Sequence, residues 1–141
     1  ASRRIIAHMY NVADLKEMHL YPCAYSMTFN VTGNTLNGIL NQRSQDMLAA
    51  SNWNVVQYSI LLMMFARASG LEAGELVHVV ADAHIYDRHV PLIEKILQNP
   101  RYAAPALEVD DVTDFYAFTK DSFRLVGYRY TDLAEKIPVA I

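Results

Sequence analysis

The chain has 141 residues, 52% of them hydrophobic and 19% charged, which is enough apolar material for a buried core and excludes a disordered polymer. Its formal net charge of -3 excludes the broad basic footprint of a nucleic-acid binder and leaves room only for a local basic pocket, so no nucleic-acid partner is expected. A lone cysteine, Cys23, forms no intramolecular disulfide, and the longest apolar stretch, Ile60 to Ala66, is too short to span a bilayer, so the expected setting is cytoplasmic and off the membrane.

The chain opens with Ala rather than Met and enters the charged run Ser2-Arg3-Arg4 directly, as a fragment or a processed chain does. Asn11 to about Met18 reads as a short helical turn with Asn11 as its N-cap. After Pro22, Cys23, Tyr25, Met27, Phe29 and Val31 alternate with Ala24, Ser26, Thr28 and Asn30, so a strand is predicted with the first set on one face. Thr32-Gly33-Asn34 supplies a turn, and a second strand from Thr35 to Arg43 completes an antiparallel hairpin. A simple register puts the thiol end of the first strand beside the Arg43 end of the second.

Ser44 to Asn52 is polar and small, hence a loop. The run from Trp53 to Ser69 is apolar on nearly every side, which predicts a buried central helix stopped by Gly70. Glu75 to Val80 reads as a strand covered on both faces, Val90 to Gln98 as a short helix with Pro91 in its first turn, and Ala106 to Val109 and Phe123 to Tyr130 as two further strands. With neither repeats nor low-complexity segments, residues 1–141 are expected to form one α+β domain, a mixed, largely antiparallel sheet packed on the buried central helix.

Chemistry concentrates in four places. Cys23 is ordinarily a small buried hydrophobe, but a guanidinium beside a thiolate favours the charged, nucleophilic form, and the hairpin brings Arg43 to it. Arg43 and Ser44, entering a loop, suit a phosphate, as a planar fork plus a hydroxyl; a solvated surface arginine is the plain alternative. Asn54, at the start of the helix, is either a local cap or a reader whose amide accepts from an N–H and donates to a carbonyl at once, which matches the uracil edge. His84 and Tyr86, two apart and so on one strand face, can share a sugar hydroxyl. Asp82, His84 and His89, with His78 nearby, lack a recognised metal-ligand spacing, and no metal is expected. No glycine-rich phosphate loop is present.

Taken in order, Ser2-Arg3-Arg4-Ile5-Ile6, Tyr21-Pro22-Cys23, Gln42-Arg43-Ser44-Gln45-Asp46, Trp53-Asn54, Asp82-Ala83-His84-Ile85-Tyr86 and the terminal Pro138-Val139-Ala140-Ile141 resemble the C-terminal catalytic portion of thymidylate synthase over essentially the whole chain. The resemblance implies reductive methylation of dUMP to dTMP, with 5,10-methylenetetrahydrofolate as donor of carbon and hydride. It implies that Cys23 adds to C6 of the uracil ring and that Arg43 stabilises the thiolate and binds phosphate. Gln42 and Ser44 join the substrate-binding group, and Arg3 and Arg4 reach the phosphate from the second subunit of a homodimer. Asn54 reads the base, His84 and Tyr86 hold the 3'-hydroxyl, Asp46 contacts the pterin, and Ala140 with the carboxylate of Ile141 closes the folate side.

Two departures stand out: Ala24 follows the cysteine where many members carry His, and Leu48-Ala49-Ala50-Ser51-Asn52-Trp53-Asn54 replaces the more usual Gly-x-Pro-Phe-Asn. The family's N-terminal half, which supplies a phosphate-binding Arg loop, a proton-relay Glu and part of the folate pocket, has no counterpart here. The alternatives are therefore a partial nucleotide-binding or dimerising fragment of the family, and a related pyrimidine hydroxymethylase.

Overall fold

The computed structural model describes residues 2–139. Its centre is a four-stranded sheet in the order β1 (Ile5–His8), β2 (Ala24–Thr32), β3 (Thr35–Gln42), β5 (Glu72–Val80). The first two pairings are antiparallel and β3 pairs β5 in parallel. A parallel neighbour needs a crossover, which α1 (Ser51–Ala68) supplies. Two-residue strands β4 (Gln45–Asp46) and β6 (Ala83–His84) pair beyond the ends of β3 and β5. The short helix α2 (Val90–Leu97) follows, and β7 (Ala106–Val109) and β8 (Phe123–Val126) form a separate antiparallel ribbon.

The predicted hairpin forms as expected, with Gly33 at φ 60° in its tight turn. The predicted alternation along the first strand holds only from Met27 onward. Ala24 pairs Gln42 while Ser26 pairs Asn41, so Tyr25 is an extra residue, a β-bulge that inverts the facing of everything before it. Ala24, not Cys23, therefore joins Met27 and Phe29 in the core, and Cys23 lies half-buried just outside the strand. Met27 and Leu40 pair directly and are both fully buried. Each contributes roughly 1.5–3 kcal/mol as apolar surface removed from water.

Helix α1 starts two residues before the predicted Trp53 and ends in a full Schellman motif: Gly70, at φ 66°, donates to the Arg67 carbonyl and Leu71 donates to Ala66. It is not buried on every side. Tyr58, Leu62 and Ala66 form one buried seam at i, i+4 and i+8 against the sheet, while Trp53 is 78% exposed. Strand β5 corrects a second expectation, because only one of its faces is packed: Leu76, His78 and Val80 are half-buried and Val77 and Val79 point outward.

Other differences are local. β1 was not predicted, since four exposed residues on a sheet edge carry no alternation to read. Asn11 does not cap the helical turn; the turn is the 3-10 segment Leu15–Glu17, and Asn11 instead donates to Asp14 Oδ2 at 2.6 Å. β8 stops at Val126, before the predicted Tyr130, where Gly127 takes φ 73°. Among the described residues no helix is long and apolar enough to cross a membrane.

Candidate functional site

The C-terminal end of β3 gathers most of the residues singled out by sequence. The Arg43 N–H donates to the Cys23 carbonyl at 2.8 Å, as the hairpin register requires. The Arg43 guanidinium then reaches back over the segment before β2: Nη2 donates to the Tyr21 carbonyl at 2.7 Å and Nε to that of Pro22 at 3.2 Å. Tyr10 donates its hydroxyl to the same Pro22 carbonyl at 3.3 Å and meets Tyr21 and Tyr25 edge-on. The segment that carries the thiol is thus fixed where it enters β2 by a charged fork and an aromatic cluster.

Beside it runs a chain of buried amides. Gln42 and Gln45 are each 1% exposed. Gln42 Nε2 donates to the Ser44 carbonyl at 2.8 Å and to Gln45 Oε1, its Oε1 faces His78 Nε2 at 2.9 Å, and Asn54 Nδ2 donates to Gln45 Oε1 at 3.3 Å. Asn54 is therefore not a helix cap; that position belongs to Ala50, which has no side chain to serve it. Burial holds the His78 pKa below the ordinary histidine value, so its neutral form is favoured.

The β4–β6 pairing brings the second cluster in. Gln45 N–H donates to the Asp82 carbonyl at 2.9 Å and Met47 N–H to that of His84 at 3.0 Å. Asp46 Oδ1 accepts from Leu48 and Ala49 at 2.9 and 3.1 Å, which makes the tight turn into α1 and fixes the carboxylate. His84 and Tyr86 do not share a strand, since β6 ends at His84, but their rings meet edge-on with centroids 4.9 Å apart. His84 Nδ1 lies 3.2 Å from Asp82 Oδ2, inside ion-pair range yet without hydrogen-bond alignment, and is buried.

Three contributors had no assigned role: Gln45, His78 and His89. His89, 1% exposed, stands with Nδ1 3.7 Å from Asp46 Oδ2 and Nε2 2.9 Å from the Pro138 carbonyl. Arg88 donates to the Val139 carbonyl at 2.7 Å. The tail is thereby held beside Asp46. In the sequence only the cluster of titratable residues Asp82, His84 and His89 pointed to this region. Ala140 and Ile141 lie outside the described residues. Arg3 and Arg4 precede β1, whose Ile5 pairs Phe29, so within one chain they sit at the opposite end of β2 from Cys23. Among the described residues no group of three or more His, Cys, Asp or Glu is arranged to hold a metal ion.

This arrangement of cysteine, arginine, amide chain and His–Tyr pair follows the order of motifs of one family, and a profile of that family, thymidylate synthase, matches residues 1–141. The chain belongs to the thymidylate synthase family. It is 36% identical to thymidylate synthase 1 of Bacillus amyloliquefaciens over 141 residues, 99% of this chain and 61% of that protein. It is also 36% identical to the thymidylate synthase of Bacillus phage phi3T over 133 residues, 94% of this chain and 48% of that one. The fold superposes on thermostable thymidylate synthase A from Bacillus subtilis with a TM-score of 0.89 and 34% identity, covering all of this chain and 50% of that one. The α+β fold is thus that of a thymidylate synthase, and the chain spans about half the length of several of these relatives.

Proposed function

We propose that this chain carries the nucleotide-binding and nucleophilic part of a thymidylate synthase that methylates dUMP reductively to dTMP. The observation that carries the reading is the fastening of Arg43 to the carbonyls of Tyr21, Pro22 and Cys23, beside the buried amide that ends at Asn54. A guanidinium fastened to the very segment that bears a half-buried thiol fixes where that thiol stands.

In this reading Cys23 Sγ forms a bond to C6 of the uracil ring, and the displaced electron pair makes C5 nucleophilic. Arg43 uses Nε and Nη2 to hold the cysteine segment, which leaves Nη1 and the neighbouring Ser44 for the phosphate. Gln42 supports the base-reading amide, and Asn54 pairs with the uracil edge. His84 and Tyr86, already in edge contact, hold the deoxyribose 3'-hydroxyl. When bound, 5,10-methylenetetrahydrofolate supplies the one-carbon unit and the hydride. Asp46, oriented by its two turn amides, is offered to the pterin, and the tail leading to Ala140 and Ile141 excludes water from the folate side.

A second copy of the chain completes the site. Ile6 pairs Thr28, Thr28 pairs Ile39 and Ile39 pairs Val77, so one row of side chains crosses the outer face of the sheet, and Ile6, Ile39 and Val77 are 55%, 41% and 49% exposed. An apolar sheet face of this kind fits a homodimer interface. Arg3 and Arg4, too far along β2 to serve their own Cys23, are assigned to the partner's phosphate.

The test is intact mass spectrometry after incubation with 5-fluoro-dUMP and methylenetetrahydrofolate, because fluorine at C5 blocks release of the covalent complex. An adduct of nucleotide plus folate on the parent protein and none on Cys23→Ser supports the reading. A folded protein that forms no adduct retains the fold without the chemistry, and the fragment reading then replaces this one.

A further inference from the structure

An asparagine side chain can pair with either pyrimidine. With Oδ1 toward N3–H and Nδ2 toward O4 it matches uracil; rotated by half a turn about its last bond it matches cytosine equally well. A reader of this kind selects uracil only if something prevents that rotation, and the buried amides beside Asn54 contain such a device.

The handedness of the whole chain of amides follows from one group that has no choice. The Ser44 carbonyl can only accept, so the Gln42 atom 2.8 Å from it must be Nε2. That leaves Gln42 Oε1 facing His78, whose Nε2 must carry the proton. The second Gln42 N–H points at Gln45, so the Gln45 atom there must be Oε1. The same Oε1 faces Asn54 at 3.3 Å, so the Asn54 atom there must be Nδ2. Gln45 Nε2 is buried without a partner among the described residues. A buried unpaired donor costs roughly 1–3 kcal/mol, yet turning Gln45 over to relieve it sets its N–H groups against those of Gln42. The unrelieved donor marks the orientation as imposed from the Ser44 side.

We propose that Gln45 is a positioning residue that locks the amide of Asn54 in the uracil-reading orientation, relaying a constraint set by the Ser44 carbonyl through Gln42. The inference rests on the reading of Asn54 as the base reader. Gln45 touches neither nucleotide nor folate in this scheme; it acts through Asn54, and only its acceptor oxygen matters. His78, whose charged form burial disfavours, holds the other end of Gln42 with Nε2 2.9 Å from Gln42 Oε1.

The experiment measures dUMP and dCMP dissociation constants for the intact protein and for Gln45→Met, Gln45→Glu and Asn54→Asp, with thermal stability alongside. Gln45→Met keeps length and volume but removes the acceptor, and its preference for dUMP over dCMP is expected to fall about tenfold, the worth of one net hydrogen bond. Gln45→Glu keeps an acceptor for both amides and is expected to retain the parent preference. Should Gln45→Met fail to fold, Gln42→Met, which removes the donor that orients Gln45, is judged by the same fall. An unchanged preference in Gln45→Met while Asn54→Asp shifts it overturns the lock and leaves the reader intact. Equal losses in Gln45→Met and Gln45→Glu also overturn it, since the acceptor is then irrelevant. No shift in Asn54→Asp removes the reader itself, and the lock with it.

Discussion

Arg43 and Cys23 are joined through the backbone: the arginine N–H donates to the cysteine carbonyl at 2.8 Å, one step beyond the pairing of Gln42 with Ala24. The guanidinium that the sequence set 22 and 21 residues after the Tyr21 and Pro22 carbonyls is thereby turned back onto them. In the proposed reading the same side chain fixes the segment of Cys23 and receives a phosphate, a double duty that needs a fork rather than a point charge.

Arg43→Lys tests it. An ammonium reaches one carbonyl or the phosphate but does not span both. Losing a charge-assisted hydrogen bond costs about 1.5–3 kcal/mol, so dUMP affinity is expected to drop about ten- to a hundredfold, with turnover falling as well because Cys23 is less firmly placed. A lysine variant with parent affinity and rate would show that the fork does neither job.

Asn54→Asp exchanges an amide that donates for a carboxylate that does not. Selectivity between dUMP and dCMP is expected to shift toward the cytosine nucleotide, because a protonated carboxyl pairs with the cytosine edge and an ionised one repels the uracil O4. Competition binding of the two nucleotides reads this directly; identical ratios in parent and variant would remove Asn54 from base recognition.

His78 makes stability depend on pH. Its folded-state pKa lies below the unfolded value because burial disfavours the charged ring, so the unfolded chain binds the proton first as pH falls. The stability this group contributes is present above the unfolded histidine pKa, about 6.5, and is lost as pH drops through the lower folded value. Denaturant midpoints at pH 7 and pH 5 should therefore fall further for the parent than for His78→Gln. Parallel declines in the two proteins would mean that His78 is not the group responsible.

Gly70→Ala probes the end of the crossover helix. The residue sits at φ 66°, and a methyl group there meets nothing within 4 Å, so the effect is backbone strain alone. A left-handed alanine costs roughly 1–2 kcal/mol. For a domain of this size the melting temperature is expected to fall roughly 3–8 °C with no change in nucleotide binding. A loss of binding would show that the end of α1 is coupled to the site.

Sequence alone determined the hairpin, its register from Met27 onward, the central helix and the neighbourhood of Cys23 and Arg43. These rest on periodicity two, on Gly33 and Gly70 where positive φ is required, and on a short loop that leaves no other pairing. It also carried the family, because several short motifs in one order are far more specific than any one of them. The bulge at Tyr25 was not legible, since an extra residue leaves the alternation of letters intact while inverting which of them face inward. Neither were the two-residue strands β4 and β6, too short to have a period, although their pairing is what sets Gln45 and Asp46 beside Ala83 and His84. The placements and partners of Gln45, His78 and His89 were decided by tertiary structure alone. An amide or an imidazole in a sequence has no orientation; it acquires one only when burial forces each donor to find the acceptor that the fold has placed next to it.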